Sequence, residues 1–144
     1  MRHDWLCAAL VVAACAPGDN RHAPASPAQK YAGTFEGRSY SREADTGTPF
    51  RLVASVAPDG TLRGTLTFTT VAGPPIPVRG RQVTDTALVN EIGPYQSPTV
   101  HRLVVTTTTG KLRGDSLNGT FEMRPAEGGA PIAHGAFRSR RSSP

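Results

Sequence analysis

Cysteine is almost absent from this sequence, and its absence limits the chemistry that the chain can perform. The two cysteines among the 144 residues, Cys7 and Cys15, both lie near the N-terminus. We therefore expect neither a disulfide bond nor thiol catalysis beyond residue 15. The stability of the remaining chain has to come from a hydrophobic core and from backbone hydrogen bonds.

Aromatic residues and long apolar runs are also scarce. Aromatic residues make up 6% of the chain, and its one tryptophan is Trp5. The net charge is +5, but the basic residues are mostly single arginines spread along the sequence. Because a nucleic-acid interface needs clustered basic residues with aromatic side chains for base stacking, no nucleic-acid partner is expected.

The longest apolar run, Trp5 to Ala14, is too short to span a bilayer as a helix and is typical of a signal peptide. It ends in Val12-Ala13-Ala14-Cys15, which resembles the lipobox of bacterial lipoproteins. The resemblance implies cleavage after residue 14 and a lipid anchor on Cys15 that holds the protein at a membrane. An ordinary secretory signal, cut near Ala14 or Ala16, is the alternative. The expected location is the cell envelope, on the outer membrane facing the periplasm where the organism has two membranes.

Residues 15–30 lack any apolar periodicity and contain three prolines. Such a composition predicts a lipidated, disordered tether between the membrane and a folded domain. The folded domain is expected to cover residues 31–141.

From Tyr31 onwards, apolar and polar residues alternate with a period of two, which is typical of strands with one buried face. Leu62, Gly64, Leu66 and Phe68 share one face, for example, and a Pro58-Asp59-Gly60 turn precedes them. A similar pattern recurs at Leu117, with glycine again on the apolar face. About eight strands are predicted, at 32–40, 50–57, 61–70, 76–83, 86–92, 99–108, 112–124 and 131–139, with Thr109-Gly110-Lys111 as a turn.

This pattern predicts an all-β fold, and our first choice is a single small antiparallel up-and-down barrel of about eight strands. Closure pairs the edge strands of a chain that has no helix to cover them. Glycines on the inward face allow the sharp strand bending that a small barrel requires. A two-sheet β-sandwich is the alternative.

Two features resemble the calycin-type barrels, the group that includes lipocalins and avidins. Gly33-Thr34-Phe35 lies where these families have glycine, any residue and tryptophan on their first strand, here with phenylalanine instead. Arg138 or Arg140, at the end of the last strand, lies where many members have an arginine that closes the base of the barrel. The resemblance covers residues 31–141 and implies the fold alone.

The motifs that resemble catalytic or metal-binding sites are incomplete, so we expect no enzyme activity, no cofactor and no metal. Gly114-Asp115-Ser116-Leu117 matches the motif of a serine esterase family, but no aspartate follows Asp115 to complete a triad. His101 and His134 lack a third ligand for a zinc site.

The sequence thus predicts a membrane-anchored lipoprotein whose non-catalytic barrel binds a small apolar ligand. The side chains expected to line the cavity are Leu62, Leu66, Phe68, Leu103, Val105, Leu117 and Phe121. The alternative is a protein-interaction module, such as an envelope scaffold or an inhibitor of a periplasmic hydrolase. Its expected contact is the loop 93–98, with Tyr95 as an exposed aromatic side chain.

Overall fold

The described part of the chain is all-β apart from one short helix. The computed structural model describes residues 25–42 and 45–142, in which a short 3₁₀ helix (Pro27–Tyr31) precedes eight strands. The strands are β1 (Gly33–Tyr40), β2 (Thr48–Val56), β3 (Leu62–Phe68), β4 (Ile76–Val83), β5 (Leu88–Gln96), β6 (Leu103–Arg113), β7 (Ser116–Pro125) and β8 (Ala133–Arg141).

Each strand pairs antiparallel with its sequence neighbours, and β8 pairs with β1 to close the barrel. The closing pair runs in register from Phe35 opposite Arg141 to Tyr40 opposite Ala136. The predicted up-and-down barrel of eight strands is therefore confirmed, and the alternative sandwich is wrong. Closure follows from the alternation, because a single apolar face that curls onto itself buries that face and pairs both edges.

The turn expected at Thr109-Gly110-Lys111 is wrong, because β6 continues through it to Arg113. Gly110 pairs with Leu88 on β5 and with Gly119 on β7, so the ladder holds it from both sides. The chain instead turns at Gly114, which has a positive φ of 55° that glycine adopts readily.

Close approach of neighbouring strands explains one inward glycine of the repeated motif. A Cβ atom at Gly119 on β7 would overlap the carbonyl oxygen of Thr109 on β6. Any larger residue would push the two strands apart, so glycine is required where the barrel wall bends tightly.

One end of the barrel, which we call the closed end, is sealed by the 3₁₀ helix. Residues 27–30 were expected to belong to the tether, but here they pack against the barrel and begin the folded unit before residue 31. Ala28 and Tyr31 are buried at 3% and 1% exposure, respectively. The Tyr31 hydroxyl donates a hydrogen bond of 3.1 Å to the carbonyl oxygen of Thr84, in the β4–β5 loop.

An arginine also closes this end, as the resemblance to calycin-type barrels implied, but it is Arg141 instead of Arg138 or Arg140. The Arg141 guanidinium lies 4.6 Å from the ring centroid of Phe35, which is fully buried. It donates hydrogen bonds to the carbonyl oxygens of Lys30 and Ala32. Arg138 and Arg140 are exposed because their register on β8 directs them outward. The guanidinium thus ties the entry of the chain to the last strand.

Candidate functional site

The other end of the barrel, which we call the open end, contains a cavity of about 570 Å³. Two loops form its mouth, the β1–β2 loop and the β5–β6 loop. In the described part of the chain, the charged lining residues are Arg42 and Asp45, and both belong to the β1–β2 loop. Leu88 and Leu117, which lie near the closed end, form the floor.

Most of the cavity wall is apolar, because the side chains that β2, β3, β4, β7 and β8 direct into the cavity are mostly aliphatic or aromatic. These side chains, together with two inward residues of β5, form what we call the apolar wall: Phe50, Leu52, Leu66, Phe68, Val78, Leu88, Ile92, Leu117, Phe121 and Phe137.

Two aromatic pairs stiffen this lining. Phe50 and Phe137 meet edge to face with ring centroids 6.4 Å apart. Phe68 and Tyr95 make a tilted pair at 6.3 Å. Such pairs contribute beyond their buried area, so these rings are held in place without a ligand.

A second group of lining residues is polar and lies on the two neighbouring strands β5 and β6. We call Asn90, Tyr95, Thr106 and Thr108 the polar stripe. Asn90 pairs directly with Thr108 across the two strands, and Ile92 pairs with Thr106. Directly opposed residues of an antiparallel pair share a face, so these side chains all enter the cavity.

The polar stripe is partly satisfied within the protein. The Tyr95 and Thr106 hydroxyl oxygens lie 3.0 Å apart and share a hydrogen bond. Burial raises the pKa of Tyr95 above its ordinary value of 10.0, and the bond to Thr106 partly opposes this effect. Tyr95 is therefore a neutral hydroxyl at physiological pH, and it cannot serve as an anionic group there.

Four of the seven side chains predicted to line the cavity do so: Leu66, Phe68, Leu117 and Phe121. Leu62 is buried at 3% exposure but lies beneath the floor, at the start of β3 near the closed end. It belongs to the core that supports the cavity.

The inward direction expected for Leu103 and Val105 is wrong. Leu103 is 50% exposed, and neither residue lines the cavity. The inward positions of β6 are instead Val104, Thr106, Thr108 and Gly110. Pairing with inward residues of β5 and β7 determines which residues of β6 face the cavity. The sequence alone does not determine it, because Leu103, Val104 and Val105 are all apolar and either alternating set could face inward.

The segment 93–98 was expected to be a loop with Tyr95 exposed, and this expectation is also wrong. Residues up to Gln96 belong to β5, and the Tyr95 ring packs inside against Phe68. The ladder goes from Ile92 opposite Thr106 to Tyr95 opposite Val104, so β5 has one extra residue there. This β-bulge shifts the alternation by one residue and turns Tyr95 inward.

The side chains considered for catalysis or metal binding do not assemble into a site. Ser116 begins β7 at the closed end, and His101 and His134 are exposed. Among the described residues, no group of three histidine, cysteine, aspartate or glutamate side chains can hold a metal ion. Within the same residues, no helix is long and apolar enough to cross a bilayer.

Sequence reasoning missed the polar stripe as part of the site. A signal existed for Asn90, because Leu88, Asn90 and Ile92 alternate and must share one face. The predicted signal peptide, most of the predicted tether and the predicted lipid site Cys15 lie outside the described residues.

The sequence matches no protein-family model and no curated protein. Solved structures with a similar fold include two of shwanavidin. Apo shwanavidin is 15% identical with a TM-score of 0.50, over 78% of this chain and 97% of that chain. A complex of a single-residue shwanavidin variant with biotin is also 15% identical with a TM-score of 0.50, over 76% of this chain and 96% of that chain. The chain therefore shares the fold of these structures, a closed antiparallel barrel of eight strands.

Proposed function

We propose that this protein is a non-catalytic binding protein that holds a small, mostly apolar molecule in the cavity at its open end. The observation that supports this most directly is the cavity itself, about 570 Å³ of space that the side chains of the barrel leave unfilled. Barrels of eight strands can be filled by their own side chains, so an open cavity is a specific feature of this one.

The size and lining of the cavity set the class of ligand. Sites for small molecules and cofactors have volumes of roughly 300–1,000 Å³ and are mostly apolar with a few polar groups. The apolar wall with the polar stripe matches that description. The charged residues Arg42 and Asp45 lie at the mouth, so an ionic group on the ligand would have to stay near that end. The biotin complex of the shwanavidin variant offers an example of a small molecule bound by a barrel of this fold.

The test is to block the cavity at its mouth and to ask whether a retained molecule disappears. Ala133, the first residue of β8, lines the cavity, whereas its neighbour His134 is exposed on the outside. Ala133→Trp inserts a large side chain into the mouth, and His134→Trp places the same side chain outside. The two variants therefore form a matched pair.

The full chain is purified from its native host, and native mass spectrometry with solvent extraction identifies molecules that remain bound. We expect one class of small molecule in the native protein and in His134→Trp, and its loss in Ala133→Trp. Equal retention in both variants would contradict binding in the cavity. Native protein that retains nothing and binds no apolar probe would contradict the proposed function as a whole.

We further propose that the barrel is attached to a membrane of the cell envelope by a lipid on Cys15. The support is the sequence Val12-Ala13-Ala14-Cys15 directly after an apolar run. Metabolic labelling with an alkyne analogue of palmitate tests this, with Cys15→Ser as the variant and Cys7→Ser as the matched control. Labelling should be lost in Cys15→Ser alone, and fractionation should then find that variant outside the membrane pellet. Labelling that survives Cys15→Ser would refute the anchor.

A further inference from the structure

The polar stripe contains an amide oxygen that is buried without a partner. Asn90 is 5% exposed, and its Oδ1 atom accepts no hydrogen bond from any described residue. The other such atom among the described residues is the Ser142 hydroxyl oxygen, which follows β8 at the closed end. Asn90 differs from Ser142 because the Asn90 side chain lines the cavity.

Asn90 lies deep in the cavity. It is the third residue of β5 from the closed end, directly above Leu88 on the floor. Thr108 is its direct partner on β6 and adds a hydroxyl group beside the amide. The next inward position of β6 is Gly110, where the Phe137 ring and the Leu117 side chain pack closely against the backbone and complete the floor.

The polar side chains of the stripe nearer the mouth already have hydrogen-bond partners within the protein. The Tyr95 and Thr106 hydroxyl groups already bond to each other at 3.0 Å. An acceptor that is buried and unpaired destabilises the empty protein, and a donor that reaches it recovers that free energy. The empty hydrogen-bonding position is therefore at the inner end of the cavity.

We propose that the ligand enters with a neutral hydrogen-bond donor, an O–H or N–H group, at its leading end, and that the Asn90 amide turns about χ2 so that its buried Oδ1 atom accepts a hydrogen bond from that donor. This inference rests on the proposed function and specifies the chemistry of its ligand. The Thr108 hydroxyl is the second polar contact for that group, and the apolar wall surrounds the body of the ligand. The leading group is neutral, because the charged lining residues in the described chain, Arg42 and Asp45, are at the mouth and cannot neutralise a charge buried at the floor.

The test uses two isomeric probes that differ in one donor, n-decanol and methyl nonyl ether. Their binding is measured by isothermal titration calorimetry on the full chain with Cys15→Ser, so that no acyl chain competes for the cavity. Asn90→Leu removes the acceptor while keeping the branching of the side chain at Cγ, and its larger volume acts on both probes alike. We expect it to weaken n-decanol binding about tenfold relative to its effect on methyl nonyl ether.

A second, milder pair of variants decides the question if Asn90→Leu does not fold by circular dichroism. Thr108→Val changes an inward hydroxyl, and Thr107→Val changes its neighbour, which faces outward on the same strand. We expect Thr108→Val to weaken n-decanol binding about threefold relative to the ether, and Thr107→Val to leave both affinities unchanged.

The possible outcomes separate the two proposals. If neither probe binds the native cavity, the proposed function fails, and this inference fails with it. If both probes bind and the folded Asn90→Leu variant, or otherwise Thr108→Val, changes both affinities equally, the inference is overturned while the cavity remains a binding site.

Discussion

The two ends of the barrel are built from the same alternating strands, yet they differ in what fills them. At the closed end, Phe35 is fully buried and Tyr31 is 1% exposed, and the Arg141 guanidinium covers the Phe35 ring. At the open end, Phe68 and Tyr95 are only partly buried and border a cavity of about 570 Å³. The fold thus places a packed core and an open site within one barrel.

This difference indicates that the closed end contributes mainly to stability and the open end mainly to binding. Hydrogen bonds from Arg141 at the closed end satisfy backbone carbonyl groups where the chain enters the barrel. The cavity at the open end remains unfilled, and deep inside it Asn90 Oδ1 has no hydrogen-bond partner among the described residues. We expect substitutions at the closed end to lower stability and substitutions at the open end to alter binding. Three predictions test this comparison.

The largest expected effect is the loss of a buried ring from the closed end. Phe35→Ala leaves a cavity in a packed region, so the free energy of unfolding should fall by about 3–5 kcal/mol. Phe68→Ala removes a ring that already borders open space, and it should cost about 1–2 kcal/mol. Urea denaturation followed by circular dichroism measures both values. Equal losses would show that the two ends do not differ in packing.

A smaller effect is expected from the arginine that closes the base. Arg141→Met keeps the length of the side chain but removes the donors to the Lys30 and Ala32 carbonyl oxygens. The free energy of unfolding should fall by about 2 kcal/mol. Arg140→Met, at an exposed neighbouring position, should change it by less than about 0.5 kcal/mol. Urea denaturation measures the free energy of unfolding of both variants. If Arg140→Met lowers it as much as Arg141→Met does, Arg141 has no special role in closing the base.

The smallest effect concerns pH and compares one tyrosine from each end. Burial raises the pKa of Tyr95 above 10.0, and burial together with the Asp85 carboxylate raises the pKa of Tyr31. A raised pKa favours the neutral form of the hydroxyl in the folded state. The stability that each buried tyrosine contributes in this way is fully present below pH 10 and is lost as the pH rises through the folded-state pKa.

Tyr95→Phe and Tyr31→Phe should therefore each make the alkaline decline in thermal stability shallower. Tyr31→Phe should also lower stability at neutral pH, because the hydrogen bond to the Thr84 carbonyl oxygen is lost. Thermal unfolding measured at a series of pH values above and below 10 checks both statements. Alkaline declines that match the native profile in both variants would show that neither hydroxyl is buried as described.

The strands in which apolar and polar residues alternate clearly were predictable from the sequence. The side chains that these strands contribute to the cavity were predictable as well. On β3 and β7 the inward residues Leu66, Phe68, Leu117 and Phe121 alternate with polar ones, and all four line the cavity. The polar part of the site was harder to predict. Threonines on an outward face and threonines on the wall of a cavity look the same in a sequence, because both sit in a period of two.

The sequence by itself determined that the chain alternates, turns often and forms about eight strands, because burying one apolar face requires little more than that pattern. Pairing of β8 with β1 then made the fold a closed barrel and not a two-sheet sandwich. The tertiary structure alone decided which residues of β5 and β6 enter the cavity. Cross-strand register places Thr106 and Thr108 inside and Leu103 outside, and one extra residue in β5 turns Tyr95 inward. These outcomes depend on pairing between strands, which no local pattern specifies.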